Sequence, residues 1–220
     1  MRRLLLVLLV VAAFASMSFA GSPMTNQGDK ALTFVISGLG TFGVSGPAAA
    51  SFPSGGFVSG TVYGAGGKYF LSKDMALRGV LAFSSTSVTD KVFNGTAYVD
   101  DKTSAFAIAL MPGLEWHFMN AATVSPYWGI EAQFGYLSST HTPPAPANED
   151  KVTGTQFGAA AFMGAEWYPW DGVSFMAEYQ LGFATTSSKS ESGGVSVDGP
   201  SVTSFGISSF AVGINLYLGN

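Results

Sequence analysis

Between Thr103 and Leu137 the chain alternates in a way that leaves few folds open. Phe106, Ile108, Leu110, Pro112, Leu114, Trp116 and Phe118 recur at every second position, with Ala107, Ala109, Met111, Gly113, Glu115 and His117 between them. After a short polar turn, Trp128, Ile130, Ala132, Phe134 and Tyr136 repeat the bulky set against Tyr127, Gly129, Glu131, Gln133 and Gly135. A period of two is the period of a β-strand. Two such runs around a short turn predict a hairpin of long strands. The bulky face is continuous, while the other face carries carboxylates among glycine and alanine. A soluble barrel turns its large apolar side chains inward; this pattern predicts a sheet whose bulky face meets lipid.

The rest of the chain is consistent with that pattern. Charged residues make up 11% of the 220 residues, well below the roughly 25% of ordinary soluble domains. The formal net charge of -4 comes with no basic patch, which speaks against nucleic acid as a partner. There is no cysteine, so disulfide and thiolate chemistry are excluded. Arg2 and Arg3 precede an apolar run that ends at Ser18-Phe19-Ala20. That is the form of a secretory signal peptide over residues 1–20, cut after Ala20. No later apolar run is long enough for a spanning helix, so a membrane fold must be built from strands.

Residues 21–30 read as a flexible polar lead, and 31–220 as the barrel domain. Strands are expected from near Ala31, over about 60–71 and 75–84, over the two runs above, and over about 155–168, 173–183 and 205–218. Loops rich in Gly, Ser, Pro or Asp are expected at 43–57, 85–102, 141–152 and 185–202, alternating with short turns. The prediction is all-β: an eight-stranded antiparallel up-and-down transmembrane β-barrel, long loops outside and short turns in the periplasm. Trp116, Trp128, Trp167 and Trp170 all flank short turns, with Tyr127, Tyr168 and Tyr217 at the same level. They are expected to form a periplasmic aromatic girdle.

The facing rule sends Lys68, Arg78, Glu115, Glu131, Glu166 and Glu178 into the lumen, together with His117. Buried charges must be paired or hydrated. A salt-bridge network is therefore expected to close a lumen that eight strands make narrow. Catalysis has little support: His117 lies near Glu115, but no serine is evident as a nucleophile on a facing strand. The two histidines and scattered carboxylates do not make a zinc set. No catalytic residue, metal or cofactor is expected, and the chain is not expected to be an enzyme.

The chain resembles the small eight-stranded outer-membrane barrels, the OmpA/OmpX-like and OmpW-like group and the outer membrane protein beta-barrel domain family. The resemblance rests on the leader, GGKYFLSKDMALRG, the GLEWHF–SPYWGIEAQFGY and GAEWYPWDGVSFMAEYQLG hairpins, and the final AVGINLYLG. It implies location in the outer membrane of a Gram-negative-type bacterium, insertion by the barrel-assembly machinery, contact with lipids and lipopolysaccharide, and a monomeric state. Such barrels usually end on an aromatic residue; here the end is Tyr217-Leu218-Gly219-Asn220. Family roles range from structural and surface-interaction proteins to transporters of small hydrophobic molecules. The expected function is a structural or surface-interaction role through the outer loops. A narrow, porin-like channel or transporter, with a lumen pocket or a lateral gap near strands one and two, is the alternative.

Overall fold

The computed structural model describes residues 21–37, 62–93, 95–118, 123–144 and 148–218. The expected leader, the 43–57 loop and part of the 120–124 turn lie outside the described residues. Eight strands follow in order: β1 Lys30–Ser37, β2 Val62–Ser72, β3 Met75–Phe93, β4 Tyr98–His117, β5 Val124–Thr142, β6 Asp150–Trp170, β7 Val173–Ser192 and β8 Val195–Leu218. Each pairs antiparallel with the next, and β1 closes on β8 from Lys30↔Leu218 to Ser37↔Ala211. Closure leaves no strand edge at membrane depth, where no water is present to satisfy it.

The barrel is inside out relative to a soluble one. Leu110, Ile130 and Leu181 on the outer face are 48–50% exposed, while Glu115 and Glu166 on the inner face are fully buried. The exposed side chains are large, apolar and contiguous around the wall, which makes acyl chains their solvent. Trp116 and Trp128 are ladder partners at the short-turn end, stacked with ring centroids 4.7 Å apart. Trp167 lies 5.9 Å from the Phe175 ring, and Trp170 beside the β6–β7 turn is exposed. Tyr127, Tyr168 and Tyr217, expected at the level of this belt, turn inward and are buried.

The stretches expected as loops at 85–102 and 185–202 are for the most part continued strand, while the loop expected at 141–152 is shortened at its two ends by β5 and β6. β3 runs on to Phe93 and β4 starts at Tyr98; β7 reaches Ser192 and β8 starts at Val195. Above the lipid both faces of a strand are wet, so no apolar alternation marks them, although Ser, Thr and Val suit a pleated backbone. Strands β3 to β8 hold 19–24 residues. About 9–11 suffice to cross the apolar layer. The excess forms hairpins projecting from the outer end. The β7–β8 tip is Gly193-Gly194, both at positive φ, as a two-residue hairpin turn requires.

The β4–β5 ladder and the lead residues depart from a regular cylinder, as do the register shifts in β7–β8. The β4–β5 ladder runs unbroken to Leu110↔Phe134 and resumes at Gly113↔Glu131. The interruption falls at Pro112, which has no N–H to donate. At the other end, the lead residues expected to be flexible lie against the barrel mouth. Gly28 N–H donates to the Phe70 carbonyl and Phe70 N–H to the Asp29 carbonyl, both at 2.9 Å, with Thr25 and Asp29 buried.

Candidate functional site

Strand alternation places every predicted lumen residue on the inner face, and the register brings them to one level. Lys68 on β2 is the direct partner of Arg78 on β3. Glu115, Glu131, Glu166 and Glu178 come from β4, β5, β6 and β7 in turn. All six groups are at most 5% exposed.

Arg78 holds the upper half. Its Nη1 and Nη2 donate to the two oxygens of Glu178 at 2.7 and 3.0 Å, a forked pair. Nη2 also donates to Glu131 Oε2 at 2.7 Å, and Nη1 to Glu115 Oε2 at 3.4 Å. Lys68 Nζ holds the lower half, donating to Glu115 Oε1 at 2.7 Å and Glu166 Oε2 at 3.4 Å. Glu115 bridges the two cations.

Two cations do not balance four carboxylates, and neutral donors meet the remaining oxygens. Gln133 Nε2 donates to Glu131 at 2.7 Å, Gln180 Nε2 to Glu178 at 2.8 Å, and the Tyr127 hydroxyl to Glu178 at 3.1 Å. Ser174, Asn215 and Tyr217 all donate to Glu166 Oε1, and Tyr168 hydrogen-bonds the Tyr217 hydroxyl at 2.9 Å. Phe162 forms a floor: the Arg78 guanidinium carbon lies 3.6 Å from its ring centroid. The alternation reading did not assign Phe162 to the network. Its lumen-side position was visible; the space for it was not. That space comes from Gly129, where an added Cβ would lie 2.1 Å from Phe162 Cζ.

His117 enters beside Glu115, with Nε2 2.7 Å from Glu115 Oε1 and Nδ1 2.7 Å from Ser125 Oγ. A carboxylate only accepts, so the Nε2–H donates to Glu115 Oε1. A serine absent from the expected set therefore does face this histidine, on the neighbouring strand β5. The order serine, histidine, glutamate is that of nucleophilic hydrolases. Here Ser125 is fully buried, and the glutamate is shared with Lys68. Glu115, His117 and Glu166 also offer ligand atoms within 4.8 Å of one another, a spacing that suits a divalent ion. The Lys68 ammonium lies against both carboxylates and takes that cation's role.

Known proteins share this architecture. The family described as outer membrane protein beta-barrel domain matches residues 6–214. The fold is similar to a major outer membrane protein from Thermus thermophilus, at 11% identity and a TM-score of 0.51, covering 87% of this chain and 100% of that one. It is similar also to the outer membrane protein OprG from Pseudomonas aeruginosa, at 13% identity and a TM-score of 0.52, covering 91% and 99%. Among curated protein sequences none matches.

Proposed function

The chain belongs to the outer membrane protein beta-barrel domain family, and within that family we propose a structural and surface-interaction barrel whose lumen is shut by its own ion network. The observation that carries the reading is the burial of Lys68, Arg78 and their four glutamates at one level across the narrow lumen. A passage for ions needs water there; these side chains occupy the space with paired charge instead. Function then lies in the hairpins beyond the lipid. The β3–β4 tip carries the exposed Phe93 and Tyr98, rings 5.4 Å apart, beside Lys91 paired to Asp100 at 2.7 Å. In this reading the protein is not an enzyme: Ser125 lies sealed behind the network and no substrate reaches it.

Planar-bilayer recording tests the reading. The purified protein should insert and give no steady current. Steady current through the unsubstituted barrel would overturn the closed-lumen assignment.

A second reading, passage of small apolar solutes, draws support from the broken β4–β5 ladder. Pro112, Ala132, Ala159 and Ala161 line an apolar hollow of about 750 Å³ on the outer wall there. The gap expected near strands one and two is not there among the described residues, since β1 and β2 pair without interruption from Lys30↔Tyr69 to Ser37↔Val62. Release of an apolar dye from liposomes, measured beside ion conductance, separates the two readings.

A further inference from the structure

The residues ahead of β1 fit the barrel mouth closely. Gly21 is buried against the end of β6, and an added Cβ would meet the Trp170 carbonyl carbon at 2.6 Å, its oxygen at 2.7 Å and the Tyr168 oxygen at 2.8 Å. These are backbone atoms, which do not swing away as a side-chain tip does, so only glycine fits. Ser22 N–H donates to the Asp171 carboxylate in the β6–β7 turn at 3.1 Å. Met24 packs on the cluster of Ala31, Phe70, Ala76, Tyr168 and Tyr217. Asn26 N–H donates to Asp29 Oδ2 at 2.8 Å, and Asp29 N–H returns to the Asn26 carbonyl at 3.0 Å. The segment is thus pinned to β2 at one end and to the β6–β7 turn at the other. Beneath it the Phe70 ring lies 5.4 Å from His117, the lowest member of the ion network.

We propose that residues 21–29 are a built-in stopper of the periplasmic mouth. Gly21 fills the seat left by the Tyr168 and Trp170 carbonyls, Ser22 is tied to Asp171, and Gly28 and Asp29 are tied to Phe70. The stopper seals the lower lumen independently of what the outer hairpins bind.

The absence of cysteine makes single cysteines unique probes. Thr25 is buried and Gln27, two residues on, is exposed. In the outer membrane-extracted protein, Thr25→Cys should react with a maleimide about tenfold more slowly than Gln27→Cys, because labelling must wait for local opening. In Gly21→Val and in Asp171→Ala backgrounds that retain the heat-modifiable folded band, labelling at Thr25→Cys should rise to the Gln27→Cys rate. Equal rates at the two sites in the otherwise unsubstituted chain would overturn the proposal. The two-site comparison decides the matter even where Gly21→Val fails to fold.

Discussion

Lys68 and Arg78 stand directly opposite one another on β2 and β3, two buried cations side by side in the lumen. Like charges paired across a ladder destabilise it. The pair holds because Glu115, Glu131, Glu166 and Glu178 converge on it from the next four strands. Positive charge sits on one wall and negative charge on the facing arc. The network is therefore a tie drawn across the barrel.

Arg78 carries most of that tie. Arg78→Met removes the guanidinium and leaves Glu131 and Glu178 buried beside uncharged donors alone. Breaking a buried ion pair in this way costs about 3–5 kcal/mol. Urea titration of the heat-modifiable band in detergent should show a loss of that size. Arg78→Lys should fall between, since an ammonium cannot reproduce the fork on Glu178. A loss under about 0.5 kcal/mol for Arg78→Met, the range of ordinary surface changes, would mean that the network contributes nothing to stability.

Lys68 has a different signature. It lies between carboxylates that, with His117, have the spacing of a metal site. Lys68→Ala empties the cation's place and leaves Glu115, His117 and Glu166 around it. Zinc should then raise the melting temperature of Lys68→Ala, as any ligand of the folded state does, and leave the unsubstituted protein unchanged. Adding His117→Ala to Lys68→Ala should abolish the effect. If zinc acts on both proteins alike, the three side chains do not converge as described.

Much of this was legible in the alternation. Each charged residue assigned to the lumen lies there because a strand admits only two faces, and lipid rejects charge from one of them. Large aromatic residues were less legible. Tyr127, Tyr168, Tyr217 and Phe162 are big enough to belong outside; Tyr127 and Phe162 turn inward where Gly164 and Gly129 leave room, and Tyr217, with Tyr168 bonded to it, where Glu166 takes its hydroxyl. Both conditions belong to neighbouring strands, not to local sequence. The outer hairpins were illegible for another reason: a strand wet on both faces has no alternation to read. The lead segment looked loose because its anchors are backbone hydrogen bonds to Phe70, which composition does not encode.

Glycine placement can be tested by contrast. A Cβ at Gly129 would overlap the Phe162 ring and lie 2.4 Å from the Leu114 carbonyl oxygen, whereas one at Gly79 meets nothing within 4 Å. Gly129→Ala should destabilise the barrel by about 1–3 kcal/mol, the usual cost of overpacking. Gly79→Ala should stay within about 0.5 kcal/mol of the parent. Thermal melts of the two variants in one detergent make the comparison; equal values would contradict the role given to Gly129 as the space that seats Phe162 beneath Arg78.

Pro112 offers the sharpest division between the two functional readings. Valine at this position supplies an N–H where the β4–β5 ladder is interrupted, at little change in apolar character. Hydrogen exchange should slow in the peptide spanning residues 110–114, and stability should rise by up to about 1 kcal/mol, the net worth of one added hydrogen bond. If apolar solutes pass through the wall here, Pro112→Val should slow dye release from liposomes while ion conductance stays at zero. If the barrel is closed to solutes, exchange slows and dye release does not change, because none occurred. Slower exchange is common to both outcomes, so it certifies that the ladder has closed before the dye result is read.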